Sequence, residues 1–145
     1  MIVRLAGPGD FEAVTALLEE LGRARVTEQT EAAARTVYER SLADDRAAHL
    51  VAEDEAGSVI GFCSLHFRDR LNFPTPDAWV PELIVTAPAR RHGAGRALLE
   101  EAGLLGRERG CCQLTLESAY FREEAHRLYA AVGMDDLGKY FRKEL

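Results

Sequence analysis

The densest concentration of chemistry-bearing residues lies in Val80–Leu99, VPELIVTAPARRHGAGRALL. Gly93 and Gly95 leave out side chains where a ligand would have to approach backbone N–H groups. Those groups are the unpaired donors of a helix's first turn, and the helix dipole places partial positive charge there. Arg90, Arg91 and Arg96 add full charges, so the stretch reads as an anion cradle suited to a phosphorylated ligand.

Three phosphate-binding patterns compete for this turn. A nucleoside-triphosphate loop needs Lys followed by Ser or Thr after its last glycine, and Gly95 is followed by Arg96-Ala97, which excludes it. A dinucleotide fingerprint needs Gly or Ala three residues after the second glycine, where this chain has Leu98. Glu117, at the end of the following strand, sits where a ribose-binding acid would, and keeps a nicotinamide oxidoreductase among the alternatives. The third pattern, Arg/Gln-x-x-Gly-x-Gly/Ala, is matched by Arg90-Arg91-His92-Gly93-Ala94-Gly95.

That hexapeptide resembles the pyrophosphate-binding motif of the GNAT superfamily of acyl-CoA-dependent N-acetyltransferases. The resemblance extends to the flanking strand Glu82–Pro88, to the helix start Arg96-Ala97-Leu98-Leu99, and to Ala125-His126-Arg127-Leu128-Tyr129 followed by Gly133-Met134. It implies an α/β (α+β) GNAT-like fold: a mixed sheet of six to seven strands with a splayed parallel pair and about four flanking helices. It implies acetyl-CoA as co-substrate and no metal. Backbone N–H groups of Arg91, His92, Gly93, Ala94, Gly95 and Arg96, beside Arg90, would hold the pyrophosphate. The backbone of Leu83, Ile84 and Val85 would hold the pantetheine arm, with an oxyanion donor near Leu83. Many family members carry Asn seven residues before the helix tyrosine. Arg122 stands there, so no Asn contact is carried over.

Acyl transfer from a thioester to an amine needs a base for the amine, a donor for the oxyanion and an acid for the thiolate. An alkylamine has a pKa of about 10.4 and is charged at neutral pH, hence the base. Glu82 interrupts an apolar strand beside the implied thioester position, where desolvation favours proton acceptance; a strand-face carboxylate paired with an arginine is the plainer alternative. Tyr129 is the acid that the resemblance implies, and a core aromatic with a local hydroxyl partner is its alternative. His126 could relay protons or merely pack. His66 reads as a structural histidine, Glu117 as a reserve base, and His92 as a solvent-facing neighbour of the phosphates.

These residues require an ordered scaffold. Ile2–Ala6 is a strand, and Gly7-Pro8-Gly9-Asp10 a turn with Asp10 as N-cap. Phe11, Val14, Leu17, Leu18 and Leu21 have helical spacing, stopped by Gly22. Ala33, Val37, Tyr38 and Leu42 predict a second helix, which shapes the acceptor site by resemblance or simply covers the sheet. His49–Ala52 and Val59–Phe67 form a hairpin. Trp79–Thr86 is a strand in which Pro81 demands a bulge or a parting of strands. A helix from the cradle to Gly110 leads to a strand, Cys111–Leu116, parallel to the Trp79–Thr86 strand by right-handed crossover. Glu123–Val132 is the last helix, and Gly138–Leu145 alternates toward a terminal strand.

At 145 residues the expectation is one N-acetyltransferase domain over 1–145. A net charge of −6 provides no basic field for nucleic acid. Cys63, Cys111 and Cys112 read as small buried hydrophobes in a reducing compartment. No signal-peptide pattern or membrane-length apolar run appears, so the expectation is cytoplasmic, without membrane partners. The acceptor is a small-molecule or peptide amine, and Lys139–Leu145 offers a strand for a homodimer. A non-catalytic CoA-binding sensor or interaction module is the alternative of another class.

Overall fold

The computed structural model describes residues 1–145. The chain begins with β1 (Ile2–Leu5), a short 3-10 turn at Pro8–Asp10, α1 (Phe11–Leu21) and α2 (Glu31–Leu42). The antiparallel hairpin β2 (Ala47–Glu53) and β3 (Val59–Arg68) follows, then β4 (Asp77–Val80) and β5 (Leu83–Val85). The chain ends with α3 (Ala94–Glu108), β6 (Leu114–Leu116) and α4 (Glu123–Ala131).

The six strands form one mixed sheet in the order β1-β2-β3-β4-β6, with β5 paired to β3 beyond β4. All pairings are antiparallel except β4 with β6, where Ala78, Trp79 and Val80 face Leu114, Thr115 and Leu116. Alternate side chains of β2 and β3 serve two separate cores, as the period of a strand requires. Leu50, Cys63 and Leu65 pack with Leu98 and Ala102 of α3 on one face. Val51, Phe62 and Ile84 pack with Val14, Leu17 and Leu21 of α1 on the other. Gly61 makes room for α3: a Cβ there would lie 3.0 Å from the Leu98 Cδ1.

The strand break at Pro81 takes a definite form. One strand becomes two: β4 pairs with β6, whereas β5 pairs only with β3, at Gly61, Phe62 and Cys63. The parallel pair therefore parts after Val80 and Leu116. Proline has no N–H to continue the ladder, and the chain steps past it to resume one residue beyond Glu82.

Several expectations need correction. Gly138–Leu145 forms no strand, and Leu137, Tyr140 and Phe141 are exposed. Alternation needs a partner edge, and β6 presents only three residues; the strand-based route to a homodimer loses its element with it. The strand expected at Cys111 begins at Leu114. Gly110, in the left-handed region at φ 72°, turns the chain out of α3, and Cys111–Gln113 are used in crossing to β6. Cys63 is buried, but Cys111 is half-buried and Cys112 exposed. Asp10 does not cap α1 through its side chain. Its carboxylate accepts the Gly7 N–H at 2.7 Å and pairs with both terminal nitrogens of Arg4, which pulls it below its ordinary carboxylate range.

Candidate functional site

Most of the singled-out residues lie along β5, at the start of α3 and on α4, around the place where β5 and β6 part. Along β5 the ladder to β3 is marked by the Ser64 N–H donating to the Glu82 carbonyl at 3.0 Å and the Thr86 N–H donating to the Ile60 carbonyl at 2.9 Å. Antiparallel ladders alternate, so Glu82, Ile84 and Thr86 direct their backbone groups at β3, and Leu83 and Val85 direct theirs away from it. No strand pairs with that outer edge. Ile84, expected to offer its backbone with Leu83 and Val85, is turned the other way and buries its side chain against α1 instead. The Val85 carbonyl is also taken, by the Arg90 Nε–H at 3.0 Å, which leaves Leu83 with the unengaged outward pair.

The cradle follows. Thr86 leads into a 3-10 turn at Ala87–Ala89. Arg91 and Gly93 then both adopt left-handed backbone, at φ 69° and 91°, immediately before α3. Such turns point successive N–H groups into one concavity. The N–H groups of Arg91, His92 and Gly93 meet no acceptor within the chain, and the first bond of the helix is from the Ala97 N–H to the Gly93 carbonyl at 3.0 Å. Ala94, Gly95 and Arg96 therefore present unpaired first-turn donors. A Cβ on Gly93 would meet nothing within 4 Å, so its absence is required by the backbone angle and not by packing. These donors suit a pyrophosphate.

Gly95 has a different reason from the one its spacing implied. A Cβ there would lie 2.9 Å from the Leu128 Cδ2 and 3.7 Å from the Val85 Cγ2, so the missing side chain lets α4 and β5 close on α3. The arginines are also partly committed. Arg90 reaches Glu20 of α1 at 3.1 Å, Arg96 reaches the Ala131 carbonyl at 3.3 Å and Glu100 at 3.6 Å, and Arg91 lies 4.0 Å from Glu124. His92 is exposed.

Glu82 is a quarter exposed and lies on the α1 side of the sheet. Its Oε2 accepts a short hydrogen bond from the Ser64 hydroxyl, and its Oε1 lies 3.5 Å from Arg23. Behind it, His49 is buried with neither ring nitrogen hydrogen-bonded, stacked on Phe62 at 5.9 Å and edge-on to His66 at 6.2 Å. Burial pushes the His49 pKa down, with His66 adding to that, so the ring is held neutral. His66 also contacts Trp79, whose indole N–H donates to Glu117 at 2.7 Å.

Tyr129, on α4, is half-buried. Burial pushes its hydroxyl pKa up, against smaller opposing pulls from the neighbouring Ser118 and Arg122, so it stays a proton carrier at neutral pH. Ser118 meets the His126 Nε2 at 3.2 Å, and the His126 and Tyr129 rings lie 6.4 Å apart. Arg122 donates to the Leu21 carbonyl at 2.8 Å, tying the start of α4 to the end of α1. Burial lifts the Cys63 thiol to about 12, so it is no nucleophile.

Sequence reasoning passed over Ser64, Ser118 and Glu20. Ser64 did leave a signal: with His66 it forms a polar pair at period two in an otherwise apolar strand. Glu20 left none, because its role depends on contacts with the Thr86 hydroxyl, the Ala87 N–H and Arg90, 66 to 70 residues away.

A family model described as "Acetyltransferase (GNAT) family" matches residues 13–134. The curated "Uncharacterized N-acetyltransferase YhdJ" of Bacillus subtilis is 39% identical over 51 residues, a match spanning 35% of this chain and only 36% of that protein. Among solved structures, a putative acetyltransferase from Agrobacterium tumefaciens superposes with a TM-score of 0.87 at 23% identity, covering 100% of both chains. The aminoglycoside N-acetyltransferase AAC(6')-Iy, with a CoA-linked bisubstrate analogue, gives 0.82 at 19% identity over 99% of this chain and 98% of that one. It has also been solved with CoA. At these identities the superpositions establish the fold. No helix of this chain is long and apolar enough to cross a membrane.

Proposed function

The chain belongs to the GNAT family of acetyltransferases, and from that premise we propose that residues 1–145 act as one N-acetyltransferase domain, moving an acetyl group from acetyl-CoA to a primary amine by direct attack. The observation that carries this reading is the unpaired outer edge of β5 beside an open run of free N–H groups from Arg91 to Arg96. Bound acetyl-CoA supplies an activated thioester. The N–H groups of residues 91–96 hold its pyrophosphate, and the outward backbone of Leu83 and Val85 meets its pantetheine arm. Arg90 must yield the Val85 carbonyl for that second contact.

Glu82 takes the amine's proton at Oε1, directly or through water. The Leu83 N–H donates to the carbonyl oxygen as charge develops there. Tyr129 gives its hydroxyl proton to the departing sulfur, and its raised pKa keeps that proton available. The protonated, buried Cys63 supports direct attack over an acyl-cysteine route. The acceptor is a small-molecule or peptide amine. Aminoglycosides are candidates through the AAC(6')-Iy likeness, and the site functions without nucleic acid, metal or membrane.

Thermal unfolding with acetyl-CoA, CoA, NAD and ATP tests the ligand class. A ligand at 100 times its Kd stabilises by about 2.7 kcal/mol, and the expected pattern is a rise in Tm with both CoA species. A rise with NAD alone overturns the reading. A rise with acetyl-CoA but no release of CoA thiol with any amine supplied identifies a sensor instead.

A further inference from the structure

We infer that Ser64 is a positioning residue for Glu82: it fixes one carboxylate oxygen so that the other, Oε1, receives the acceptor's proton. The inference rests on the proposed role of Glu82 as base. Ser64 is only 2% exposed, on β3 across from the break at Pro81. A serine hydroxyl has one proton to donate and two lone pairs to accept with. The Glu82 N–H donates to the Ser64 Oγ at 3.1 Å, which takes up one lone pair. The hydroxyl proton is then turned to the Glu82 Oε2, where the hydrogen bond is found. The Ser64 N–H, donating to the Glu82 carbonyl at 3.0 Å, completes a three-bond clasp between the two residues.

The clasp gives the two carboxylate oxygens different environments. Oε2 is held inward by a neutral donor. Oε1 faces outward to the half-exposed Arg23, whose guanidinium lies 3.5 Å from it and 3.4 Å from the Pro81 carbonyl. An acceptor ammonium arriving from that side would meet the same pair of oxygens. Besides Arg23, the titratable group packed behind the carboxylate on this face is His49, which burial keeps uncharged at neutral pH, whereas Cys63 points to the opposite face, into the α3 core. Neither competes with Ser64 for the carboxylate. Without the hydroxyl, a carboxylate next to a strand break is free to rotate, and small misplacements of a reacting group are costly in rate.

The test measures CoA thiol release from acetyl-CoA with neamine, spermidine and triglycine as probe amines, taking the fastest with the wild-type chain. Ser64→Ala is expected to lower kcat about tenfold or more, with KM for acetyl-CoA within about twofold and the acetyl-CoA shift in Tm retained. Ser64→Thr, which keeps the hydroxyl, should recover kcat to within about threefold of wild type. Ser64→Cys keeps the size but has only a weak S–H donor, and should fall with Ser64→Ala. Wild-type kcat in Ser64→Ala, together with lost activity in Glu82→Gln, overturns the positioning role and leaves the base standing. Full activity in Glu82→Gln overturns both. Loss of Tm and of acetyl-CoA affinity in Ser64→Ala, unrescued by Thr, assigns Ser64 a packing role and overturns the inference. No turnover of any probe amine by the wild-type chain overturns the proposed function and this inference with it.

Discussion

Replacing Gly95 by alanine separates two reasons for a glycine in the cradle. If the residue makes room for the ligand, a methyl group there should weaken acetyl-CoA binding and leave the fold alone. The structure assigns it to packing, since the added Cβ would stand 2.9 Å from the Leu128 Cδ2. Carbon atoms pack best at about 3.5–4.0 Å, so Leu128 must retreat by more than half an ångström. Overpacking of this kind costs about 1–3 kcal/mol. Removing a helical glycine returns up to about 1 kcal/mol. The expected net loss is about 1 kcal/mol, or roughly 3 °C in Tm for a chain of this size.

A double-mutant cycle isolates the clash. Leu128→Ala removes the obstructing methyl, so it should be less destabilising in the Gly95→Ala background than alone, with a coupling of about 1 kcal/mol by thermal or urea unfolding. Gly93→Ala is the counterpart. Its Cβ meets nothing within 4 Å, but its φ of 91° strains any L side chain, which costs about 1–2 kcal/mol. That variant should show no coupling to Leu128 and should bind acetyl-CoA about tenfold more weakly, because a side chain disfavours the left-handed backbone that aligns the N–H groups. A coupling between positions 95 and 128 indistinguishable from zero refutes the packing assignment. So does a Gly95→Ala variant that keeps its Tm and loses acetyl-CoA.

Tyr129→Phe should lower kcat by about 10²-fold or more while acetyl-CoA binding is retained; an unchanged rate, with chemistry shown to be rate-limiting, removes Tyr129 as the acid. Glu20→Ala should weaken acetyl-CoA binding several-fold, because its carboxylate holds Thr86, Ala87 and the cradle's Arg90 in place; calorimetry showing wild-type affinity refutes that role. The folded-state pKa of His49 is depressed, so the stability it contributes is present above its unfolded value near 6.5 and is lost as pH falls below that. Tm should therefore drop as pH falls below about 6.5, and His49→Phe should flatten the drop; an equal drop in the variant sinks this account.

The order of elements was legible because it depends on local physics. Phe11 to Leu21 repeats at the helical period and Gly22 stops it in a left-handed turn at φ 101°, as its lack of a side chain permits. The terminal segment misled for the same reason. Gly138–Leu145 has the alternation of a strand, but alternation records only which side chains could share a face. Whether an edge of sufficient length is available is decided by β6, whose strand is shorter than Cys111–Leu116 promised. The arginines misled differently: a sequence displays their charge and conceals that Glu20, Glu100 and the Val85 and Ala131 carbonyls already engage two of them.

Pro81 shows where such reading reaches its limit. That it breaks a strand follows from one missing N–H, and the break was legible at once. What the break does depends on phase. Shifting the chain past Pro81 leaves Glu82 in register with Ser64, so its side chain falls on the α1 face and its backbone is spent on β3. Leu83, one residue on, takes the opposite sense in both respects: its side chain joins the α3 core and its N–H faces the gap. A base on one face of the sheet and a backbone donor at its edge are thus consecutive residues separated only by the period of the strand. A shift of one residue in register would exchange the two roles and turn a carboxylate into the α3 core, where it would have no clasp and no water. The three bonds between Ser64 and Glu82 are therefore also what holds the register on which the arrangement of the proposed site depends.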